Sequence, residues 1–174
     1  MLARLAHKLL LAFVGIGALA LASAHAATSV DNGDSFALIL VNKDYKRAPA
    51  IPYADRDGEA IKRFLIAQGF DETRVKVLTD QPAAAWAEWL GTEANPRGKL
   101  WREMRVVEGR GNVFVYFVGH GLPAPIKGQT LVRSHLLPTE VAPELAADFA
   151  PALDTLERNL EEVKALLPED RWLI

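Results

Sequence analysis

A histidine between two glycines follows the most apolar segment in the middle of the chain. In Asn112–Gly121, NVFVYFVGHG, almost every residue before Gly119 favours a strand, and His120 stands between Gly119 and Gly121. In an open α/β sheet, ligands bind beyond the carboxyl ends of the strands, which is where this histidine is predicted to lie. Flanking glycines remove bulk and leave the Gly121 amide free to donate to an oxyanion. The position suits a general base, but it suits equally a histidine that only caps the strand through hydrogen bonds, and strand position alone leaves both interpretations open.

The sequence provides no evident nucleophile for such a base. It contains no cysteine, so thiolate chemistry, disulfides and thiolate metal sites are excluded within these 174 residues. Thr130, Ser134 and Thr139 carry hydroxyl groups, but none has the sequence context of a nucleophile elbow. A Gly-rich phosphate loop is also missing, which argues against a nucleotide-binding domain.

Strands that alternate with helices predict an α/β fold with a largely parallel sheet. Phe36–Val41, FALILV, is continuously apolar and is expected to be a central strand covered on both faces. A helix is predicted to open at Asp57 and to stop at Gly69. The remaining predicted elements are a strand at Val75–Thr79, helices near 83–90 and 100–107, a strand at 112–118, a loop at 122–129, a strand or hairpin arm at 130–138, a helix at 153–167, and the opening of a buried strand at Trp172–Ile174.

Residues 1–26 resemble a secretory signal peptide. Arg4 and Lys8 precede an apolar run, and Ala24-His25-Ala26 is a small-x-small cleavage site. The uncharged stretch from Leu9 to Ala24 has 16 residues, fewer than the roughly 20 that span a bilayer. Cleavage after Ala26 predicts a secreted or periplasmic protein without stable membrane insertion.

The charge balance makes nucleic acid an improbable partner. The chain has 20 Lys and Arg against 22 Asp and Glu; loss of Arg4 and Lys8 leaves 18 against 22, a net charge of −4. Phosphate backbones are bound by basic surfaces. The expected organisation is a signal peptide at 1–26, a polar lead-in at 27–35 and one domain at 36–174.

Five segments in the same order resemble the amino-terminal part of the caspase-like cysteine peptidases, in particular the bacterial metacaspase type. They are FALILVNKDY, IPYADRDGEAIKRFLIAQGF, VKVLTD, NVFVYFVGHG and LLP. The resemblance implies a caspase-like three-layer sandwich, truncated at the carboxyl end, with His120 as one half of a Cys-His dyad. The family's cysteine follows about 50 residues after the histidine, so we expect it just beyond Ile174. The implied activity is cleavage of peptides or proteins, without a cofactor.

The resemblance also implies a role for Asp57. In metacaspase-type members an aspartate at the start of the first helix lines the pocket for a basic side chain, and Asp57 matches that position. The alternative, compatible with it, is a first-turn carboxylate that interacts with the helix dipole.

Other conspicuous side chains are expected to be structural. His135 is predicted to be a half-exposed sheet histidine, because too few further ligands accompany it for a zinc site. Trp86, Trp89 and Trp101 are predicted to be packing residues. The alternative to an enzyme is a non-catalytic caspase homologue that binds peptides or partner chains, or associates with itself, through an open sheet edge.

Overall fold

The computed structural model describes residues 31–125 and 131–174, which form an α/β domain. The predicted signal peptide and Thr130 lie outside this range. The elements are β1 (Phe36–Val41), α1 (Ala54–Ala67), β2 (Val75–Thr79), α2 (Ala83–Leu90), α3 (Lys99–Val106), β3 (Val113–Val118), β4 (Gly121–Pro125), β5 (Val132–Leu136), α4 (Ala146–Phe149) and α5 (Leu153–Lys164), with short 3-10 turns at Glu72–Arg74 and Pro143–Leu145.

The main sheet has three parallel strands in the order β2-β1-β3, so β1 is central as predicted. Every residue of β1 is buried, because successive side chains enter different layers. Phe36, Leu38 and Leu40 pack with α2, α3 and α5, whereas Ala37, Ile39 and Val41 pack with α1. The sheet is therefore covered on both faces, which gives three layers.

Three tryptophans pack in the core that α2, α3 and α5 form over one face of the sheet. Trp86 and Trp89 are buried in the core that covers Phe36, and Trp101 packs against it while partly exposed. The prediction that they are packing residues is confirmed. Trp86 also meets the ring of Phe117 on β3 edge-on, with centroids 5.6 Å apart.

Two predicted boundaries were wrong. Helix α1 begins at Ala54 rather than Asp57, because Tyr53 turns the chain with a left-handed φ of 76° and its carbonyl accepts from the amides of Arg56 and Asp57. The predicted loop at 122–129 contains β4, which pairs antiparallel with β5. The prediction failed because β4 contains Pro123 and Pro125, and proline usually argues against a strand.

The prolines of β4 fit because of their register. Leu137 N donates to His120 O at 2.9 Å, so the ladder's hydrogen-bonded positions on this strand continue at residues 122 and 124. Pro123 and Pro125 occupy the alternate positions, where the ladder requires no N–H.

The segment Trp172–Ile174 pairs in parallel with β3 through the Val113–Leu173 bridge. The predicted pairing is therefore present, but the predicted burial is wrong. The side chains of Trp172 and Ile174 are 67% and 70% exposed. Pairing along this edge of β3 reaches Val115, whose N–H donates to Ile174 O at 2.7 Å.

Candidate active site

The loop at 42–53, which connects β1 to α1, is anchored at the carboxyl edge of the sheet by Asp80. Asp80 directly follows β2 and has a left-handed φ of 49°, a conformation that aspartate tolerates better than most residues. Its Oδ1 accepts from the backbone amides of Lys43 at 2.7 Å and Asp44 at 3.1 Å. The carboxylate thus fixes the start of the loop next to the end of β1.

Tyr45 connects this loop to His120, the candidate base. Its hydroxyl accepts from His120 N at 2.7 Å and donates to Leu137 O at 3.1 Å. The rings of Tyr45 and His120 are 4.5 Å apart between centroids, at an angle of 50°. Burial raises the pKa of the Tyr45 hydroxyl, and the hydrogen bond from His120 N opposes this shift. Tyr45 therefore remains a neutral hydrogen-bonding residue near pH 7.

The imidazole of His120 is tied to the same loop through one nitrogen. Nε2 lies 2.7 Å from the carbonyl oxygen of Pro49. A carbonyl only accepts, so Nε2 carries the proton of this bond. In the neutral ring, Nδ1 then has the free lone pair, which is the atom that can accept a proton from a nucleophile. His120 is partly exposed.

The two glycines beside His120 differ in their surroundings. A Cβ at Gly119 would lie 2.5 Å from Phe117 Cζ and 2.7 Å from the Tyr45 hydroxyl, so this site requires glycine for space. A Cβ at Gly121 would approach only His135 O, at 3.8 Å. Neither glycine has a positive φ. Space at Gly119 therefore lets Tyr45 reach the His120 amide.

The amide of Gly121 is turned away from the β4–β5 hairpin. The hydrogen bond between Leu137 N and His120 O makes residue 120 a bonded position of the antiparallel ladder, so residue 121 occupies a non-bonded one. Its N–H therefore points to the side opposite β5. Such an amide, next to a base at a sheet edge, can donate to an oxyanion.

Asp57 lies in the first turn of α1, exposed to solvent. That helix follows the loop that holds His120, so both side chains belong to the carboxyl edge of the sheet. No hydrogen bond or ion pair joins them among the described residues; Lys43 pairs instead with Asp55, at 3.5 Å. A carboxylate at this position interacts favourably with the helix dipole.

The other sequence candidates lie apart from this arrangement. His135 is only 4% exposed, so the prediction of a half-exposed histidine was wrong. The cause is its position on β5, which pairs with β4 on one side and bridges at His135 to Ala152, next to the start of α5, on the other; its Nδ1 lies 3.0 Å from Arg133 O. Among residues 31–125 and 131–174, no group of three or more histidine or acidic side chains is arranged to hold a metal ion. Thr139 is buried and Ser134 exposed, and neither hydroxyl is hydrogen-bonded to His120.

Sequence reasoning missed the three residues that hold the histidine: Tyr45, Pro49 and Asp80. Pro49 contacts His120 through its backbone carbonyl, a group that every residue has, so the residue type does not predict the contact. Tyr45 and Asp80 each lie shortly after a strand, at the edge where ligands bind in α/β sheets, and that location was the available signal.

Fold and site together define an α/β domain with a positioned histidine at the carboxyl edge of a parallel sheet. No protein-family model and no curated protein sequence matches the chain.

Proposed function

We propose that this chain carries the histidine half of a caspase-like cysteine endopeptidase of the metacaspase type, which cleaves after basic residues. The observation that carries the proposal is the contact between His120 Nε2 and the carbonyl oxygen of Pro49, from which the tautomer follows. The Nε2 proton is held by Pro49 O at 2.7 Å, which leaves Nδ1 as a base beside the outward-facing Gly121 amide. The resemblance of five segments in order supports the same assignment.

The reaction follows from these groups once a thiol is present. Nδ1 of His120 takes the thiol proton, and the thiolate sulfur bonds to the carbonyl carbon of the scissile peptide. The Gly121 N–H donates to the resulting oxyanion. The imidazolium then returns its proton to the leaving amine as the C–N bond breaks, and water hydrolyses the acyl-enzyme with His120 again as base.

The edge of β3 indicates where such a thiol would stand. Leu173 is level with Val113 in a parallel pairing, so the strand position level with Gly119 is six residues after Leu173 and five after Ile174. A chain that continued in this strand would bring its fifth added residue beside the glycine that precedes His120. That position would be 59 residues after His120, somewhat more than the family's spacing of about 50 residues between histidine and cysteine.

Asp57 is the proposed contact for the basic side chain of the substrate. It is exposed, and among the described residues it makes no ion pair. A carboxylate in that state at the carboxyl edge can make charge-assisted hydrogen bonds to arginine or lysine.

The test is to append five residues that end in cysteine after Ile174 and to measure alkylation of the thiol between pH 6 and 8. An imidazole that takes up the thiol proton lowers the pKa of the thiol. At pH 6.5 we therefore expect alkylation to be about tenfold faster than in the same chain with His120→Ala. His135→Ala is the matched control and should leave the rate unchanged. Equal rates with and without His120 would contradict the proposal. The unextended chain should cleave no arginine or lysine peptide, because it lacks the attacking atom.

A second candidate is a non-catalytic homologue that binds a partner strand. The observation that favours it is the edge of β3, where exposed Trp172 and Ile174 adjoin an apolar pocket of about 250 Å³ that includes Phe64 and Phe114. Such an edge can pair with another chain, including a second copy. Self-association of residues 27–174 in sedimentation, combined with an alkylation rate independent of His120, would favour this candidate.

The proposed location is the periplasm or the extracellular space, on the strength of the signal-like residues 1–26. Within the described residues, every helix is too short or too polar to span a bilayer. Localisation of a tagged full-length chain by cell fractionation tests the proposal.

A further inference from the structure

A groove next to the His120 site combines cationic and apolar walls. It has a volume of about 690 Å³ and is lined by Lys46, Arg47, Ala83, Glu140, Val141, Ala142, Leu145 and Phe149. Ligand pockets in proteins commonly measure about 300–1,000 Å³. The groove therefore has room for several side chains of a bound peptide.

The groove is connected to the candidate site by short covalent and hydrogen-bonded links. Lys46 directly follows Tyr45, whose hydroxyl receives the amide proton of His120. Thr139, which precedes Glu140 of the lining, accepts through its carbonyl oxygen from Lys46 N at 2.9 Å. A substrate segment bound here would thus lie on the same polypeptide edge as the proposed base.

The charge of the groove favours an anionic ligand. Lys46 and Arg47 are exposed, and neither forms an ion pair with any described residue. The one carboxylate in the lining, Glu140, is turned to the start of α2, where Oε1 accepts from Ala83 N at 2.8 Å and Oε2 is buried. Glu144 and Asp148 are nearby in sequence but do not line the groove.

The apolar wall is exposed to an unusual degree for large side chains. Phe149 is 61% and Leu145 45% exposed, whereas Val141 and Ala142 form a buried floor. Removing such side chains from water on binding gives about 25 cal/mol per Å² of apolar area. A ligand that fits this groove therefore needs apolar groups beside its negative charges.

We propose that this groove is an exosite for an acidic, apolar segment of a protein substrate: carboxylate side chains on Lys46 and Arg47, and bulky apolar side chains against Leu145 and Phe149. The inference deepens the proposed function and rests on it, since it assigns the bound segment to the substrate. The carboxylate of Asp57 and the cations of the groove then select opposite charges in two parts of one substrate, which favours a single orientation. Nucleic acid is not a suitable occupant, because the formal net charge of the chain is −2.

The test is a fluorescence anisotropy titration of the full chain with labelled dodecapeptides of glycine and serine that carry a four-residue core. The first peptide has a core of two aspartates, phenylalanine and leucine. In the second, asparagines replace the aspartates; in the third, serines replace phenylalanine and leucine. The first should bind at least about tenfold more tightly than either of the others. Binding of all three peptides with equal affinity would overturn the inference. So would binding of decanoate without binding of the peptide, because the groove would then belong to a small anionic amphiphile.

Matched variants locate the peptide. Lys46→Glu and Arg47→Glu should each weaken binding about tenfold, whereas Arg63→Glu, the same charge change on the exposed face of α1, should alter it less than twofold. Phe149→Ser should weaken binding about fivefold and Phe64→Ser, at a phenylalanine that is 56% exposed, should not. Equal effects of groove and control variants would contradict the assignment. Backbone NMR shifts of the unmodified chain, expected at Lys46, Arg47 and Leu145, give a check that needs no variant.

The exosite and the proposed catalysis can fail separately. The imidazole of His120 does not line the groove, so peptide binding and thiol activation are measured separately on the same chain. An appended cysteine activated by His120 in a chain that binds no peptide would overturn the exosite and leave the proposed function standing. Peptide binding in the groove without thiol activation would support the groove as a binding site and count against the peptidase.

Discussion

The two flanks of the segment formed by β3 and His120 are held in very different ways. On one flank, the loop at 42–53 reaches the histidine with a hydroxyl and a carbonyl, and Asp80 holds the start of that loop through two amides. On the other flank, level with Val113–Val115 at the amino end of β3 and several residues before His120, Trp172–Ile174 is attached to β3 and Asn112 by a few hydrogen bonds, and two of its three side chains are mostly exposed.

The difference indicates which side of the histidine is preorganised. Nε2 and the backbone amide of His120 are both committed to the loop. The loop therefore occupies this side of the histidine, whereas the Gly121 N–H points away from the hairpin. Preorganised groups cost little rearrangement when the reaction occurs, which is the condition under which they contribute to catalysis.

The largest effect is expected from filling the space on the anchored flank. Gly119→Val should lower the free energy of unfolding by about 2–3 kcal/mol, because the added Cβ meets Phe117 and the Tyr45 hydroxyl. Gly121→Val, two residues further on, should change it by less than about 0.5 kcal/mol, since its Cβ meets only His135 O at 3.8 Å. Urea unfolding measures both. Equal losses would show that the two glycines do not differ in the way the structure indicates.

A smaller effect is expected when the hydroxyl on the anchored flank is removed. Tyr45→Phe leaves the amide of His120 without its partner, which should cost about 1–2 kcal/mol of unfolding free energy. Leu137 O keeps a second donor, Asn42 Nδ2 at 2.8 Å, so the loss stays moderate. Tyr116→Phe, on β3, is the control and should cost less. The His120 ring should retain its Nε2–H tautomer in nitrogen NMR spectra, and a change of tautomer would mean that Pro49 does not fix it.

Asp80 should act on the same flank through the loop. Asp80→Asn keeps a residue type that tolerates a left-handed φ but removes the charge that receives the Lys43 and Asp44 amides, so we expect a loss of about 1 kcal/mol. Hydrogen exchange at those two amides should accelerate severalfold more than at Asn42, whose N–H donates to Val118 O in the sheet. Uniform acceleration would indicate global destabilisation rather than release of the loop.

The sequence predicts features that depend on residue type and misses features that depend on backbone groups or distant contacts. β1 was predictable because a buried parallel strand is continuously apolar, and His120 because a polar residue after such a strand lies at the sheet edge. β4 was not, because two prolines usually exclude a strand and only the ladder register makes them acceptable. The partner of Nε2 was not predictable either, because a backbone carbonyl is the same in every residue. The burial of His135 depends on its bridge to Ala152, a contact from 17 residues away along the chain.

The smallest effect is expected on the open flank. Trp172 is 67% exposed and contributes little buried area, so Trp172→Ala should change the free energy of unfolding by less than about 0.5 kcal/mol. Leu173→Ala, the neighbouring residue that packs partly against the core and pairs with Val113, should cost about 1 kcal/mol. Amide exchange at Val115 should be faster than at Asn42 in the unmodified chain, because the strand beside Val115 can open without disturbing the sheet. If Trp172→Ala destabilised the chain as much as Tyr45→Phe, the two flanks would be held with similar strength, contrary to the difference in burial and hydrogen bonding between them.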